Sequence, residues 1–194
     1  MASSTAEQIL DVAECEFAER GFDGASLSEI AAQVGISGPG VYKHFKGKRA
    51  VYEAVLARLI EPFFEIMTRE ISSEGERPDV LRIIRTVLIH HIEHPNLARL
   101  VQHAALAGGS QLQWLVERWY KPAFRLAREE LFDSASSLSD EALRTSIMAF
   151  NSMILGYVSL SSLHGEILGT DPLSEAEVER FYEVICLIST EFRA

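Results

Sequence analysis

The chain has 194 residues, 47% of them hydrophobic and 24% charged, with a formal net charge of −10. Such a composition can bury a sizeable core and excludes a disordered polymer, and the length allows one large domain or a small module joined to a larger one. Glu7, Asp11 and Glu14 break any basic-then-apolar leader pattern at the start. The two cysteines, Cys15 and Cys186, stand far apart in apolar-periodic segments, so buried reduced thiols are expected, which suits a cytoplasmic protein.

Helical signals recur along the chain and strand signals are nearly absent. A first helix is expected over residues 4–20, with Ile9, Leu10, Ala13, Phe17 and Ala18 at helical spacing; Gly21 and Gly24 end it, and Phe22 packs back on the core. Ser26 and Glu29 have the spacing of a capping box that opens a second helix, whose buried stripe is Leu27, Ile30, Ala31 and Val34. Gly35 stops it where a positive φ is cheap. Ser37 caps a third, short helix, with Ile36 stapled to Val41, Pro39 in the first turn, and an end near residues 45–47.

Longer helices are expected beyond this point. The first runs from residue 47 or 48 toward Ser73 with a kink at Pro62, and the next from Pro78 to His94, where Pro95 ends it. Residues 97–107 form another, closed by Gly108 and Gly109, followed by residues 111–132 with a kink or break at Pro122. Residues 139–164 come next, and a capping box at Ser174 and Glu177 opens a last helix through Phe192. Residues 145–165 carry no formally charged side chain, yet polar residues such as Asn151, Ser152 and Ser161 are spread along them. A helix buried inside protein is expected there, rather than a span of about twenty apolar residues, and no membrane partner is expected. The one domain boundary falls near residues 46–50, dividing the chain into 1–46 and 47–194.

Residues 37–49, SGPGVYKHFKGKR, hold four basic side chains, a histidine and no acid. A strictly basic stretch in an acidic chain points to a polyanion such as duplex DNA. It coincides with two short helices joined by a glycine-bearing turn. The spacing Ala31-x3-Gly35-x5-Val41 supplies what a helix-turn-helix requires: a small residue where the helices cross, a glycine in the turn, and an apolar residue filling the angle.

Residues 9–56 resemble the TetR family of bacterial transcriptional repressors. The resemblance is carried by Phe17, Gly21, Phe22, Ser26, Ile30, Ala31, Gly35, Ile36, Val41, Tyr42, Phe45, Lys48 and Leu56. It implies an all-α homodimer, with an N-terminal three-helix DNA-binding domain and a larger C-terminal helical domain for ligand binding and dimerisation. It further implies that Lys48, opening the fourth helix, contacts phosphate, and that Tyr42 and His44 touch the DNA backbone. Ser26 and Ser37 would sit near phosphates as caps, and Lys43 could reach a guanine edge or a phosphate. Gly38, Pro39 and Gly40 occupy the turn where members of the family often present larger polar side chains to bases. Specificity is therefore expected to lean on Tyr42, Lys43 and DNA shape. The implied function is a repressor that binds operator DNA and is released by a small effector; no cofactor is expected.

In the C-terminal part the resemblance implies a ligand cavity among the middle helices and a dimer interface from the last two long ones. Candidate lining residues are Phe63, Met67, Leu88, His91, Trp114, Trp119, Phe150, Met153 and Tyr157, each of a type that also serves as plain core. Few charges fall on these faces, so a largely apolar effector is expected. Gly156, with Ser152 and Ser159 beside it, would let another helix approach closely. His90 and His94 share one helical face and His103 follows on the next helix, a spacing that can hold a transition metal; histidines closing a helix C-terminus are the favoured reading. Two rival functions remain: a metal-dependent enzyme built on those histidines, which leaves the helix-turn-helix unexplained, and a DNA-binding protein without an effector.

Overall fold

The computed structural model describes residues 4–71, 79–131 and 139–191, and every regular element among them is helical. The expected helix limits at Ser73, Pro78, Phe132 and Phe192 lie outside the described residues. Helix α1, Thr5–Gly24, opens on a capping box in which Ser4 Oγ accepts from the Glu7 amide (3.2 Å) and Glu7 Oε2 accepts from the Ser4 amide (2.6 Å). It buries Ile9, Ala13, Phe17 and Ala18 as the periodicity requires. Its break is at Gly21 (φ 68°, ψ 179°), a conformation essentially confined to glycine, after which Phe22 folds back onto Phe17 and Tyr52. Burial pushes the Tyr52 hydroxyl up to about 12, so it stays neutral.

Helix α2 is Leu27–Val34, α3 is Gly38–Val41 and α4 is Lys48–Ile71. The first half of α4 presses Val51, Tyr52, Val55 and Leu56 into the same cluster as α1 and α2, and that cluster continues through Leu97, Ala98 and Leu100 to Leu155 and Val158. Across α1, Arg58 of α4 donates to Asp11 (2.6 Å) and Glu14 (2.7 Å), while Asn96 donates to Glu14 (3.0 Å).

Helix α5, Val80–Glu93, is capped by Asp79, which accepts from the Leu81 and Arg82 amides. Helix α6, Pro95–Ala107, begins directly after His94, with Pro95 in its first turn, and closes at Gly108. The expected break at Pro122 takes another form. Helix α7, Gly109–Leu115, passes through a π-helical turn at Val116–Tyr120 into α8, Lys121–Leu131, with the Lys121 amide bonded to the Val116 carbonyl. The wider turn lies immediately before a residue that has no amide and whose ring crowds the preceding turn of an ordinary helix.

The single helix expected over residues 139–164 is two: α9, Asp140–Ser159, and α10, Ser161–Leu168, bent by 65° at Leu160. No single described helix is long and apolar enough to cross a membrane. One face of α9 is buried through Leu143, Ile154, Leu155 and Val158, but Met148 is 60% exposed, so burial on several faces is not observed within one chain. Nothing lies within 4 Å of a Cβ placed on Gly156, so no described helix makes the expected close approach there. Helix α11, Glu175–Glu191, packs on α5 in a second cluster of Ile84, Leu88, Ile154, Val178 and Ile185. The cysteine expectation fails in part: both thiols are free, but Cys15 is exposed and Cys186 half-buried. Cys15 stands on the outer side of α1 between Asp11 and Glu19, both exposed, whereas Ala13 and Phe17 turn inward.

Candidate nucleic-acid interface

Helices α2 and α3 meet at Gly35 (φ 78°, left-handed), where the Gly35 amide bonds to the Ala32 carbonyl and the Ile36 amide to the Ala31 carbonyl. Ala31 and Val41 are buried at the crossing and Ile36 packs beside them, as the spacing demands. Ser26 and Ser37 occupy the N-cap positions, but neither side chain makes the capping bond. The box expected at Ser26 and Glu29 is not formed. Ser26 Oγ pairs with Ser28 Oγ (2.7 Å), and Glu29 is drawn instead to Arg20 of α1 (2.6 Å). Arg20 also reaches Glu16 (3.1 Å), whose carboxyl is raised above its ordinary range chiefly by burial and next by its hydrogen bond with Glu29. This brace holds α2 against α1, and a charged partner outcompetes a local amide for the carboxylate.

Helix α3 is shorter than expected, four residues, and stops at Val41 rather than near residues 45–47. Two glycines and a proline among those four weaken helix propagation. The chain continues as a tight turn, with the Lys43 amide on the Gly40 carbonyl (3.2 Å) and the His44 and Phe45 amides on the Val41 carbonyl (3.0 Å each). That turn displays Tyr42 (63% exposed), Lys43 and His44 to solvent, alongside exposed Ser37 and Pro39. Gly38 and Gly40 are half-buried; a Cβ on Gly38 would meet nothing within 4 Å, and one on Gly40 only ordinary contacts with Ile36 and Ser37.

Gly47 (φ 119°) turns the chain into α4, its carbonyl accepting from the Val51 amide. Lys48 then reaches back: its Nζ donates to the Asp23 carbonyl (3.0 Å) and lies 4.9 Å from the centre of the Phe22 ring. The ammonium is thereby fixed beside the segment that leads into α2. Arg49 is neutralised by Glu53 (2.7 Å). Lys46, exposed and outside the expected set, belongs to the same acid-free surface; its place in the 37–49 run was the signal for it.

The nine residues proposed to line an effector site do not converge. Phe63 borders a groove of about 360 Å³ with Arg82, Arg85, Ile89 and His90 between α4 and α5. Trp119 is buried in the larger cluster, with Trp114 and Tyr157 packed against it. Leu88 is fully buried in the second cluster beside Phe150 and Met153. His91 is buried and Met67 half-buried.

Of the histidines, His90 and His94 stay together as the spacing predicts, their ring centres 4.7 Å apart, and His103 does not join them. His90 Nε2 donates to the Leu59 carbonyl (2.8 Å) and its ring stacks on Phe63 (4.7 Å), while His91 Nδ1 donates to the Val87 carbonyl (2.9 Å). His94 lies between α5 and α6, and His103 packs instead against Gly21. No group of three metal-ligating side chains occurs among the described residues.

Burial lowers His90 to about 4 from 6.5. Because the folded value lies below the unfolded one, protons bind preferentially to the unfolded chain. The His90 contribution to stability should therefore be lost as pH drops from about 6.5 to about 4, by on the order of 1–3 kcal/mol, and His91, also lowered by burial, acts in the same direction. Urea melts across that window check this. His90→Gln, whose amide can still donate to Leu59, should flatten the dependence.

Residues 9–55 match the family of bacterial regulatory proteins, tetR family. The HTH-type transcriptional repressor BepR of Brucella suis is 32% identical over 92 residues, covering 47% of this chain and 43% of BepR. The chain thus spans less than half the length of that relative. Among solved structures, a transcriptional regulator from Aquifex aeolicus superposes with a TM-score of 0.65 at 19% identity, over 95% of this chain and 99% of that one. AibR in complex with isovaleryl coenzyme A and operator DNA superposes with a TM-score of 0.63 at 18% identity, over 94% and 96% of the two chains. Those likenesses show a shared fold, and the match to the tetR family of bacterial regulatory proteins is carried by residues 9–55, the helix-turn-helix segment and the start of α4.

Proposed function

We propose that the protein is a transcriptional regulator, not an enzyme, that binds duplex operator DNA as a homodimer and is released by a small, largely apolar effector. The observation that carries the DNA reading is the acid-free surface of the 37–49 segment, with Tyr42, Lys43 and His44 exposed on one tight turn. In this reading residues 1–46 are the reading head and 47–194 the ligand and dimer body. Ser26, Ser37, Gly38, Pro39, Gly40, Tyr42, Lys43, His44 and Lys48 face the DNA. The regulatory part of the reading has support in the relatives: BepR is a repressor, and AibR is seen with a small molecule, isovaleryl coenzyme A, and operator DNA. The apolar character of the effector rests instead on the few charges among the expected lining residues.

The dimer reading is supported by exposed apolar side chains on the last helices: Met148 of α9, Leu163 and Ile167 of α10, and Val184 and Leu187 of α11. A single chain gains nothing by exposing such a set, whereas a two-fold partner would cover it.

Fluorescence anisotropy against the DNA flanking the protein's own gene, at two salt concentrations, tests the reading. Affinity should fall steeply with salt. Lys43→Ala should weaken binding by about 1–2 kcal/mol and, if the lysine contacts phosphate, reduce the salt slope by about one. Salt-independent binding, or a Lys43 variant equal to wild type, would count against this interface.

A further inference from the structure

A second groove, of about 390 Å³, runs along α6 between α1 and the end of α9. Its volume is in the range of sites for small molecules. Arg99, Gln102, His103 and Leu106 form its α6 wall, with Glu19 of α1 and Ser159 of α9 on its sides. The four α6 residues stand at i, i+3, i+4 and i+7, one stripe about 10 Å long from Arg99 to Leu106.

The chemistry along this stripe is ordered. Arg99 is exposed at one end, and Leu106 is 88% exposed at the other, the most exposed large apolar side chain among the described residues. Glu19 is exposed on the α1 side and, like Arg99, forms no ion pair among the described residues, although both line the same groove. The middle is held in place. Gln102 Nε2 donates to Ser159 Oγ (2.7 Å), tying α6 to α9, and His103 rests against Gly21, where α1 breaks.

We propose that this groove binds a free amino acid with an aromatic or branched side chain. Its carboxylate pairs with Arg99, its ammonium with Glu19, and its side chain runs past His103 to cover Leu106. One positive, one negative and one apolar contact in this arrangement match a zwitterion with a hydrophobic tail and mismatch a simple fatty acid or amine. The bound molecule would touch α1, α6 and α9 together, and so sit at the joint between the reading head and the helices behind it. This site is distinct from the apolar effector cavity of the preceding reading.

Calorimetric titration of the full chain with L-phenylalanine and L-leucine tests the proposal, with phenethylamine and 3-phenylpropanoate as controls. Saturable binding of at least one amino acid is expected. Both controls, and the variants Arg99→Gln and Glu19→Gln, should bind about tenfold or more weakly, the loss of one charge-assisted contact. Both substituted side chains are exposed, so melting temperatures should match wild type and report intact folding. No saturable heat with either amino acid at about 5 mM, or undiminished affinity in Arg99→Gln, would overturn it. The titration contains no DNA, so its failure leaves the regulator reading standing, and a failure to bind operator leaves this result interpretable.

Discussion

Replacing Gly21 with alanine is expected to destabilise the protein by on the order of 3 kcal/mol and to disturb the seat of the reading head on α6. Two independent conflicts combine there. The backbone at φ 68° and ψ 179° lies in a region that residues with a Cβ scarcely enter. The added methyl would also stand 3.1 Å from His103 Nδ1, closer than ordinary van der Waals contact. Relief of the contact would move His103 or pull α1 away from α6, and the Gly21 break is what allows Phe22 to stack on Phe17 and meet Tyr52 edge-on. Chemical denaturation of Gly21→Ala, compared with Gly38→Ala, where an added Cβ meets nothing within 4 Å, measures the effect. A loss under about 1 kcal/mol would mean that α1 reshapes its turn without strain.

The other large effect concerns assembly. Val184→Asp combined with Leu187→Asp places two carboxylates on the exposed apolar stripe of α11, while Val178 and Ile185, which face the second cluster, are untouched. In the proposed dimer this would bury unpaired charge, so the mass in solution should halve while the helical signal and melting of the single chain persist. Affinity for a two-half-site operator should then drop by about 100-fold or more, because each head binds without its partner. Sedimentation velocity and anisotropy on the same sample read both quantities. A variant that remains dimeric would move the interface away from α11.

Much of the head was legible because its determinants are local. Gly35 is needed wherever a helix must end in a left-handed residue and turn at once, and Ala31, Ile36 and Val41 sit at the spacing that geometry imposes. The helix starts near Ser4, Asp79 and Ser139 are likewise capped by their own side chains. Apart from the shortened α3, whose cause is local, the expectations that failed in the head involve competition between groups apart in the sequence. Glu29 had the spacing to cap α2, yet Arg20, nine residues away, captures it. Lys48 could be placed at the start of α4 from spacing alone, but its bond to the Asp23 carbonyl depends on how α1 ends.

The same division explains the C-terminal helices. Periodicity showed that Leu88, Trp119, Phe150 and Tyr157 lie on apolar faces, but not which helix covers each face, and they divide between two clusters. Nor could it show that the chain bends at Leu160, or that the residues before Pro122 widen into a π turn. The sequence by itself determined an all-helical chain, the helix-turn-helix and the basic segment it presents, because caps, glycines and apolar spacing act over a few residues. Only the tertiary structure decided which partners those helices choose, where Arg20, Lys48 and His103 make their contacts, and which grooves stay open. Those outcomes depend on free-energy differences between surfaces far apart in the chain, which no local pattern encodes.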